Sequence, residues 1–413
     1  MMKKTNYLVS KEGGKPMIIL KNCKLLPELV EGYEGDTADI QIEDGRIQKI
    51  SACGTEAPEG VCTYDMEGKY VLPGFTDMHI HLSLSGGDTL IDNAKSAVQQ
   101  AYDAVKFAQD SLMAGFTTIR DVGSCDNVAI DLRNAIDAGK IVGPNIIASG
   151  KIITPTENGN DFFAGLYTEA DGEQEIRKAV REEMKKGADF IKIMGTGAVM
   201  NPGGTPGQPI YTFEELKAVV DAAKFKDTYV ATHCHGTQAI KDSIRAGVRT
   251  IEHSSIMDDE AIEMYKESGE SFIVPTLSVI IGLADSVPES STFMKAKAQM
   301  ILDNVKVGMR KAYDAGLLLG FGTDQGATPL IHGENGDEFA LRKEFWGMKE
   351  IDIIKQATIN SAIILGRDKD YGTIKEGKVA DMVGISGDPL EDISRLRNNV
   401  DVVVKGGEIV KGK

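Results

Sequence analysis

The sequence predicts an α/β protein in which a (βα)8 TIM-like barrel is joined to a small β-sandwich domain formed by the N- and C-terminal segments. Two observations predict the barrel: short apolar runs alternate with segments of helical period, and side chains suited to metal binding follow several of these runs. Strand-like segments at both ends of the chain predict the sandwich. Eight apolar runs lie at 71–75, 116–119, 145–148, 190–193, 229–232, 250–252, 272–274 and 317–321.

Helix boundary signals separate most of these runs. Thr212 and Glu215 form a capping-box pattern before a helix predicted over 216–224. Two further helices are predicted over 258–268 and 351–365, and each is followed by a glycine suited to a helix C-terminus. We therefore assign residues 73–365 to the barrel, whose chemistry is expected at the C-terminal ends of its strands.

The two ends of the chain differ from the middle. Residues 1–72 and 366–413 each contain short strand-like runs bounded by turn residues. Neither end has enough apolar residues for a core of its own. We predict one small sandwich domain to which both segments contribute.

The composition indicates a globular protein that acts on small molecules. The chain has 413 residues, 42% hydrophobic residues, a formal net charge of -16 and a pI near 5.0. This charge repels nucleic-acid phosphates and anionic lipid surfaces, so no nucleic-acid or membrane partner is expected. A small-molecule substrate is predicted, and a homo-oligomer is compatible with the sequence.

Cysteine usage and the N-terminal residues predict a cytoplasmic location. The five cysteines form no CxxC pair, so we expect reduced thiols. Residues 5–14 contain no apolar signal-peptide core. No run approaches the ~18 to 20 apolar residues of a membrane helix.

Metal-ligand residues follow the apolar runs. His79 and His81 share one face of a strand because side chains alternate along it, and His233, His253 and Asp324 follow three later runs. Taken singly, each histidine could be a hydrogen-bonded core residue and Asp324 a helix cap. Together they are typical of a hydrolytic zinc-type site, in which Asp324 can also accept a proton.

Lys192 is predicted on an apolar strand, where an unpaired ammonium group would cost several kcal/mol. One interpretation is a lysine that reaches solvent; another is a desolvated amine that takes up carbon dioxide to form a carbamate able to bridge two metals. His235 shares the face of His233 but lies roughly 6 to 7 Å farther along the strand. We interpret His235 as a residue behind the ligands or a substrate contact, and Cys234 as a packing residue.

These residues resemble the motifs of the amidohydrolase superfamily of metal-dependent hydrolases. The resemblance covers nearly the whole chain and rests on 74–81, the strand-borne Lys192, His233, His253, 322–324 and the tail 372–381. Within the superfamily, 114–121, 232–236 and 331–335 are similar to a subgroup of prolidase-like and Xaa-Arg or Xaa-Lys dipeptidases. That subgroup also contains enzymes that cleave amides and carbamates of N-acyl amino acids.

The resemblance implies a binuclear centre with two divalent ions, usually Zn²⁺. The more buried ion would be bound by His79, His81 and Asp324, the more exposed ion by His233 and His253, and both by a carbamate formed on Lys192 from CO2. In the implied mechanism, a metal-bridging hydroxide attacks the scissile amide. Asp324 then carries the proton to the leaving amine.

The implied function is hydrolysis of an amide (C-N) bond in a dipeptide or an N-acyl amino acid. A substrate carboxylate would need hydrogen-bond donors, for which we predict His235, His332 and Tyr211. The loop at 153–161 departs from the Gly-Gly-His-Gly type of many members of the subgroup. This departure bears on specificity and leaves the metal ligands unaffected.

Three alternatives to hydrolysis of a linear amide are a mononuclear zinc deaminase, a cyclic amide hydrolase and a noncatalytic scaffold. A deaminase would use His79, His81, His253 and Asp324 but would need a glutamate shortly after His233, where none occurs. A scaffold would lack ligands that this chain keeps. No Gly-x-Ser-x-Gly segment indicates a serine nucleophile, and the glycine-rich stretch 195–207 is predicted to cover the barrel mouth.

Overall fold

A computed structural model describes residues 16–285, 287 and 292–412. Its strands, in chain order, are β1 (Ile18–Leu25), β2 (Thr37–Glu43), β3 (Arg46–Ser51), β4 (Cys62–Asp65), β5 (Tyr70–Pro73), β6 (Phe75–Ile80), β7 (Phe116–Asp121), β8 (Asn145–Ala148), β9 (Ile152–Thr154), β10 (Tyr167–Glu169), β11 (Ile191–Met194), β12 (Val230–Cys234), β13 (Thr250–His253), β14 (Phe272–Val274), β15 (Met382–Ile385), β16 (Val400–Lys405) and β17 (Glu408–Lys411). Their order alternates strand and helix through the middle of the chain, as the predicted barrel requires.

Most of the helices lie between or after the barrel strands. They are α1 (Thr89–Ala94), α2 (Ala97–Met113), α3 (Val128–Asp137), α4 (Gly172–Lys186), α5 (Phe213–Lys224), α6 (Thr237–Ala246), α7 (Asp259–Ser268), α8 (Leu277–Asp285), α9 (Thr292–Asp314), α10 (Asp337–Trp346), α11 (Glu350–Lys355), α12 (Ser361–Ile364) and α13 (Arg395–Asn398). Within the described ranges, no helix combines the length and apolarity that crossing a bilayer would need.

The terminal strands form one sheet, which confirms that both ends of the chain build the small β domain. Its order is β17-β16-β15-β5-β1-β2-β3, and β4 pairs with β1. The antiparallel pairing of β15 with β5, with Met382 opposite Pro73, joins the C-terminal to the N-terminal segment. A shared apolar core lies against these strands. The limits at 72/73 and 365/366 stay a proposal, and residues 1–15 and 413 lie outside the described residues.

The first apolar run, 71–75, divides between the two domains. β5 belongs to the terminal sheet, whereas the first barrel strand is β6. Gly74 lies between them and donates its backbone N–H to Asp381 O at 2.9 Å. A Cβ at Gly74 would lie 2.2 Å from Thr117 Oγ1, so only glycine allows the two sheets to approach this closely.

Parallel strands form the barrel wall in two arcs. One arc is β6-β7-β8 and the other is β10-β9-β11-β12-β13-β14. The sequence does not predict β9 and β10, because each has only three residues and β9 overlaps the loop expected at 153–161. The residues near Ile152 and Tyr167 thereby become part of the barrel mouth.

The eighth predicted strand is not a regular strand. The extended segment 319–325 closes the barrel by isolated parallel bridges, Ile273 to Leu319 on one side and Ile80 to Gln325 on the other. Backbone hydrogen bonds from Gly320 N to Ile273 O at 2.9 Å and from Asp324 N to His79 O at 2.7 Å support this closure. Asp324 therefore lies directly beside the end of β6.

The predicted helix 351–365 is interrupted by a π-helical turn at Gln356–Asn360. Side-chain hydroxyls compete with the helical ladder here: Thr358 Oγ1 donates to Ile354 O at 2.7 Å and Ser361 Oγ donates to Gln356 O at 2.6 Å. The predicted capping box at Thr212 and the C-terminal Gly269 are both confirmed. Periodicity identified the helix but not its irregular turn.

Arg342 on α10 ties the irregular closing segment to its neighbours. Its guanidinium donates to Gly320 O at 2.8 Å and Pro275 O at 2.7 Å and pairs with Glu338 at 2.8 Å. Both side chains of the ion pair are fully buried. The Glu338 carboxylate in turn accepts the backbone N–H groups of Leu277 and Ser278 at the start of α8.

We predict that Arg342→Met lowers the free energy of unfolding by about 3 to 5 kcal/mol, because Glu338 would be left as an unpaired buried charge. Chemical denaturation of the purified variant measures this change. The matched control is Arg177→Met, which removes a partly exposed pair with Glu173 of the same i,i+4 spacing and should cost about 0 to 1 kcal/mol. Equal effects of the two substitutions would contradict the role assigned to Arg342.

Candidate metal centre

Two imidazoles and one carboxylate converge at the end of the barrel. His79 Nε2 and His81 Nε2 each lie 3.4 Å from Asp324 Oδ1. All three residues are buried, and Asp324 Oδ1 has no hydrogen-bond partner among the described residues. The structure thus brings together the three residues that were predicted to hold one ion.

The outer nitrogens of both imidazoles are already engaged. His79 Nδ1 lies 2.9 Å from the carboxylate oxygen Oε2 of Glu252, and His81 Nδ1 lies 2.7 Å from the carbonyl oxygen of Gly123. Both partners can only accept, so each Nδ1 carries a proton and the Nε2 atoms of both rings face Asp324 Oδ1. A cation bound between these three atoms would be attracted by all of them.

A second group of three histidines lies next to the first. The ligand nitrogens of His233, His235 and His253 lie within 4.8 Å of one another. His233 Nε2 and His253 Nε2 are buried without a hydrogen-bond partner among the described residues. His235 therefore joins the predicted pair as a candidate ligand, in addition to its predicted role as a substrate contact.

Burial keeps these imidazoles neutral at neutral pH. It lowers the pKa of His233 and of His253 well below the usual value, and it lowers the pKa of His235 to about 4. His253 Nδ1 lies 2.6 Å from Thr276 Oγ1 and His235 Nδ1 lies 2.8 Å from Ser255 Oγ. These hydroxyls orient the rings, as partners behind metal ligands commonly do.

Lys192 is buried beside both groups, with 1% of its surface exposed. Among the residues that the structure describes, no hydrogen bond or ion pair reaches its ammonium group. Burial lowers its pKa to about 8, against the opposing effect of Glu252 and Asp324. A solvent-reaching lysine is therefore wrong as an interpretation, because the side chain ends inside the barrel.

The backbone is strained at two of the candidate ligands. His253 has a φ of 67° and Asp324 a φ of 70°, in the left-handed region that non-glycine residues rarely occupy. Such conformations cost on the order of 1 to 3 kcal/mol each and cluster at functional sites. The strain aims both side chains into the same cavity.

Arg120 and Glu252, for which the sequence predicts no role, lie behind the first group. Arg120 donates to Glu252 Oε1 at 2.7 Å and to Met78 O at 2.6 Å, and Thr250 Oγ1 donates to the same glutamate oxygen at 2.6 Å. Burial opposes ionisation of Glu252, but Arg120 and His79 outweigh it and lower the pKa of that carboxyl to about 2. Glu252 is thus an ionised acceptor that fixes the tautomer of His79.

Asp77 connects β6 to the irregular segment 319–325, which together supply the first group. Its carboxylate accepts Thr323 Oγ1 at 2.6 Å, Asn335 Nδ2 at 2.7 Å and the backbone N–H of His79 at 3.1 Å. The signal that could have found it is a charged residue within a buried apolar strand. Burial raises the pKa of Asp77 to about 7, although these hydrogen bonds act in the opposite direction.

Both groups and Lys192 line one cavity at the barrel mouth, with an empty volume of about 580 Å³ that includes its opening. The cavity wall above the ligands is formed by residues of the β9 and β10 region, α8 and the loop after β11. Residues 198–200 of the glycine-rich stretch line it, which agrees with the prediction that this stretch covers the mouth. Asn201 Oδ1 accepts the backbone N–H of Gly203 at 2.8 Å and thereby shapes the loop.

Two predicted substrate contacts lie outside this cavity. His332 stacks on Phe107 with ring centroids 4.5 Å apart, and its Nε2 lies 2.9 Å from Leu84 O. Tyr211 is buried in the main core of the barrel. Neither side chain lines the cavity, so the geometry does not support their assignment as substrate contacts, because packing turns both away from the ligands.

Comparison with known proteins agrees with this arrangement. The model of the amidohydrolase family matches residues 70–410. The ochratoxinase of Aspergillus niger is 30% identical over 375 residues, which cover 83% of this chain and 76% of that protein. An adenine deaminase of Moorella thermoacetica is 24% identical, and the match spans 54% of its length.

Solved structures extend the similarity to the whole fold. A crystal structure of a Xaa-Pro dipeptidase with methionine bound in its active site has a TM-score of 0.88 and 34% identity, and the match covers 96% of this chain and 100% of that one. The structure of A. niger ochratoxinase has a TM-score of 0.82 and 28% identity over 96% of each chain. The chain therefore belongs to the amidohydrolase family, and its predicted likeness to the prolidase-like members is confirmed.

Proposed function

We propose that this protein is a metal-dependent amidohydrolase that cleaves the C-N bond of a dipeptide or an N-acyl amino acid. The observation that carries the proposal is the convergence of the Nε2 atoms of His79 and His81 on Oδ1 of Asp324, beside a second group of three histidines. The amide hydrolases among its relatives, a Xaa-Pro dipeptidase and an ochratoxinase, support the reaction class. The cytoplasmic location stays a prediction.

The donor set fits two divalent cations, for which zinc is the expected metal. Neutral imidazole nitrogens and a carboxylate oxygen are the ligands that Zn²⁺ prefers. One cation would be held by His79, His81 and Asp324, and the other by His233 and His253 with His235 next to them. Bound divalent cations supply the positive charge that lowers the pKa of water and polarises a carbonyl group.

We further propose that Lys192 becomes a carbamate. Its neutral amine would form a bond from Nζ to the carbon of CO2 and release one proton, which leaves an anionic carboxyl group between the two ligand groups. The supporting observation is that no ion pair among the described residues satisfies an ammonium group at this buried position. A negative charge would instead lie close to both cations.

Asp324 is the residue proposed to move the proton. Burial would raise its pKa, but His79 and His81 outweigh this effect and lower it to about 2, so the carboxylate is ionised at neutral pH. It can accept a proton from the attacking water and return it to the nitrogen of the leaving amine. His235, which also lines the cavity, is the candidate for orienting the substrate carbonyl or carboxylate.

Deamination is the second candidate, because an adenine deaminase is among the relatives. A deaminase of this superfamily would need a glutamate shortly after His233 of β12, whereas residues 234–237 of this chain are Cys-His-Gly-Thr. The buried Lys192 also has no role in a mononuclear centre. A cyclic amide as substrate and a noncatalytic scaffold are both less well supported than a linear amide.

The reaction class is tested by incubating the zinc-loaded enzyme with dipeptides, N-acyl amino acids and adenine. We expect new primary amine from the amides and no ammonia from adenine, because residues 234–237, which follow His233, include no glutamate to deliver protons to a leaving amino group. Amine and ammonia are measured in the same reactions. Release of ammonia without amide cleavage would replace the proposal with the deaminase alternative.

Metal content is predicted at about two divalent ions per chain, because two complete ligand groups are present. His253→Asn should lower this to about one, since it removes a ligand of the second group only. Elemental analysis after dialysis gives the stoichiometry. His332→Asn removes a buried histidine outside the cavity and should keep the full content; a wild-type protein with one ion would contradict the binuclear centre.

Lys192→Ala is expected to lower kcat/KM by about 100-fold or more, because an anionic ligand shared by both cations is lost. Short carboxylic acids added to the variant should restore part of the activity by filling the vacated volume. Labelled bicarbonate should give a ¹³C NMR carbamate signal in the wild type that disappears in Lys192→Ala. Lys241→Ala, which removes a lysine paired with Asp258 and Glu260, is the control and should keep both signal and activity.

A further inference from the structure

The wall of the cavity is apolar above the metal-ligand residues. It is lined by Leu84, Ile152 and Phe163 and by Val279, Ile280 and Leu283 of α8. These side chains belong to a separate apolar cluster that is distinct from the main core of the barrel. The side chains of this cluster thus pack against one another and also line the cavity.

Charged groups are confined to the floor of the cavity. Among the described residues that line it, the ionisable side chains other than Tyr167 are the histidines, Asp324 and Lys192 of the candidate centre. Tyr167 stacks on Phe163 with ring centroids 4.7 Å apart, and burial raises the pKa of its hydroxyl, so it stays a neutral donor. No arginine in the described part of the chain reaches the wall.

A basic residue that contacts the covering loop, Lys297, already has hydrogen-bond partners. Lys297 on α9 donates to Asn201 O at 2.5 Å and to the carbonyl oxygen of Gly204. Both acceptors are backbone atoms of the loop after β11, whose residues Val199 and Met200 line the cavity. Lys297 therefore stabilises the loop and does not line the cavity as a receptor for an anionic side chain.

A charged substrate group placed against this wall would lose water without gaining a partner, which costs several kcal/mol. An apolar group would instead gain free energy from the area that it removes from water. We propose that the substrate of the amide hydrolysis proposed above carries an uncharged aromatic or branched aliphatic group that packs against this apolar wall. Cationic and acidic side chains are excluded, although the net charge of the whole protein is -16.

The test compares substrates of similar shape that differ in charge. N-acetyl-leucine and N-acetyl-aspartate are nearly isosteric in the side chain, and N-acetyl-lysine adds the cationic case. We expect kcat/KM for the leucine compound to exceed that of either charged compound by about 100-fold or more. Equal values of kcat/KM within a factor of three would overturn the inference.

Measurements of binding test the preference for an apolar substrate group independently of the proposed reaction. The probes are the ketones in which a methylene replaces the scissile N–H, because they cannot be hydrolysed as amides. Calorimetry with the metal-loaded enzyme should show a Kd for the leucine ketone about 100-fold below that of the aspartate ketone. If the leucine ketone binds more tightly while no amide is cleaved, the proposed reaction is wrong and the inferred preference for an apolar substrate group is supported. Equal affinities of the two ketones would contradict that preference, whether or not amides are cleaved.

Substitution of Met200 tests whether this wall contacts the substrate. Met200→Lys introduces a charge of similar length and should lower kcat/KM for N-acetyl-leucine about 10-fold and raise it for N-acetyl-aspartate about 10-fold. Met200→Gln should lower the first value without raising the second, since it adds polarity but no charge. Met300→Lys, at a methionine that is 63% exposed on α9, should change neither value. An unchanged leucine-to-aspartate ratio in a folded Met200→Lys protein would overturn the inference.

Discussion

The candidate centre depends on three ligand atoms that face one another inside the barrel. His79 and His81 are each held by an acceptor behind the ring, and both Nε2 atoms point at the same oxygen of Asp324. This arrangement is favourable around a cation. Packing of the barrel therefore fixes the positions of a group of atoms that is complementary to positive charge.

Barrel closure determines where these ligands lie. Asp324 is on the irregular segment beside β6, so its distance from the histidines depends on groups that fix that segment. Asp77 of β6 accepts a hydrogen bond from Thr323 of the segment, and Arg342 binds its carbonyl groups from behind. A regular eighth strand would align Asp324 in a standard pleat, whereas the observed segment allows its φ of 70°. Irregularity here is compatible with stability because side chains replace the missing ladder bonds.

Charge and apolar surface are separated within one small volume. The buried ion pair of Arg120 and Glu252 lies behind the ligands, where it orients His79 without facing the substrate. Lys192 lies between the ligand groups without an ion pair among the described residues, and the wall above is apolar. A polar floor below an apolar wall is typical of sites that polarise one bond and select by shape. The acidic surface of the protein has little bearing on this selection.

The amino-acid sequence by itself determined the fold class, the contribution of both ends to one β domain and most of the candidate ligand residues. Alternating periodicity and helix capping are local properties, so segments such as 212–224 and 230–234 could be recognised without knowledge of their neighbours. The H-x-H pairs were informative because alternation on a strand places both rings on one face.

Only the tertiary structure decided which buried polar residues serve the centre and which serve packing. His332 and His235 look alike in the sequence, yet one stacks on Phe107 and the other lies among the ligands. Arg120 and Glu252 were separated by more than a hundred residues, and their pairing depends on the order of strands around the barrel. The apolar wall likewise combines segments that are distant along the chain. Such contacts are set by the packing of whole elements, which local patterns do not specify.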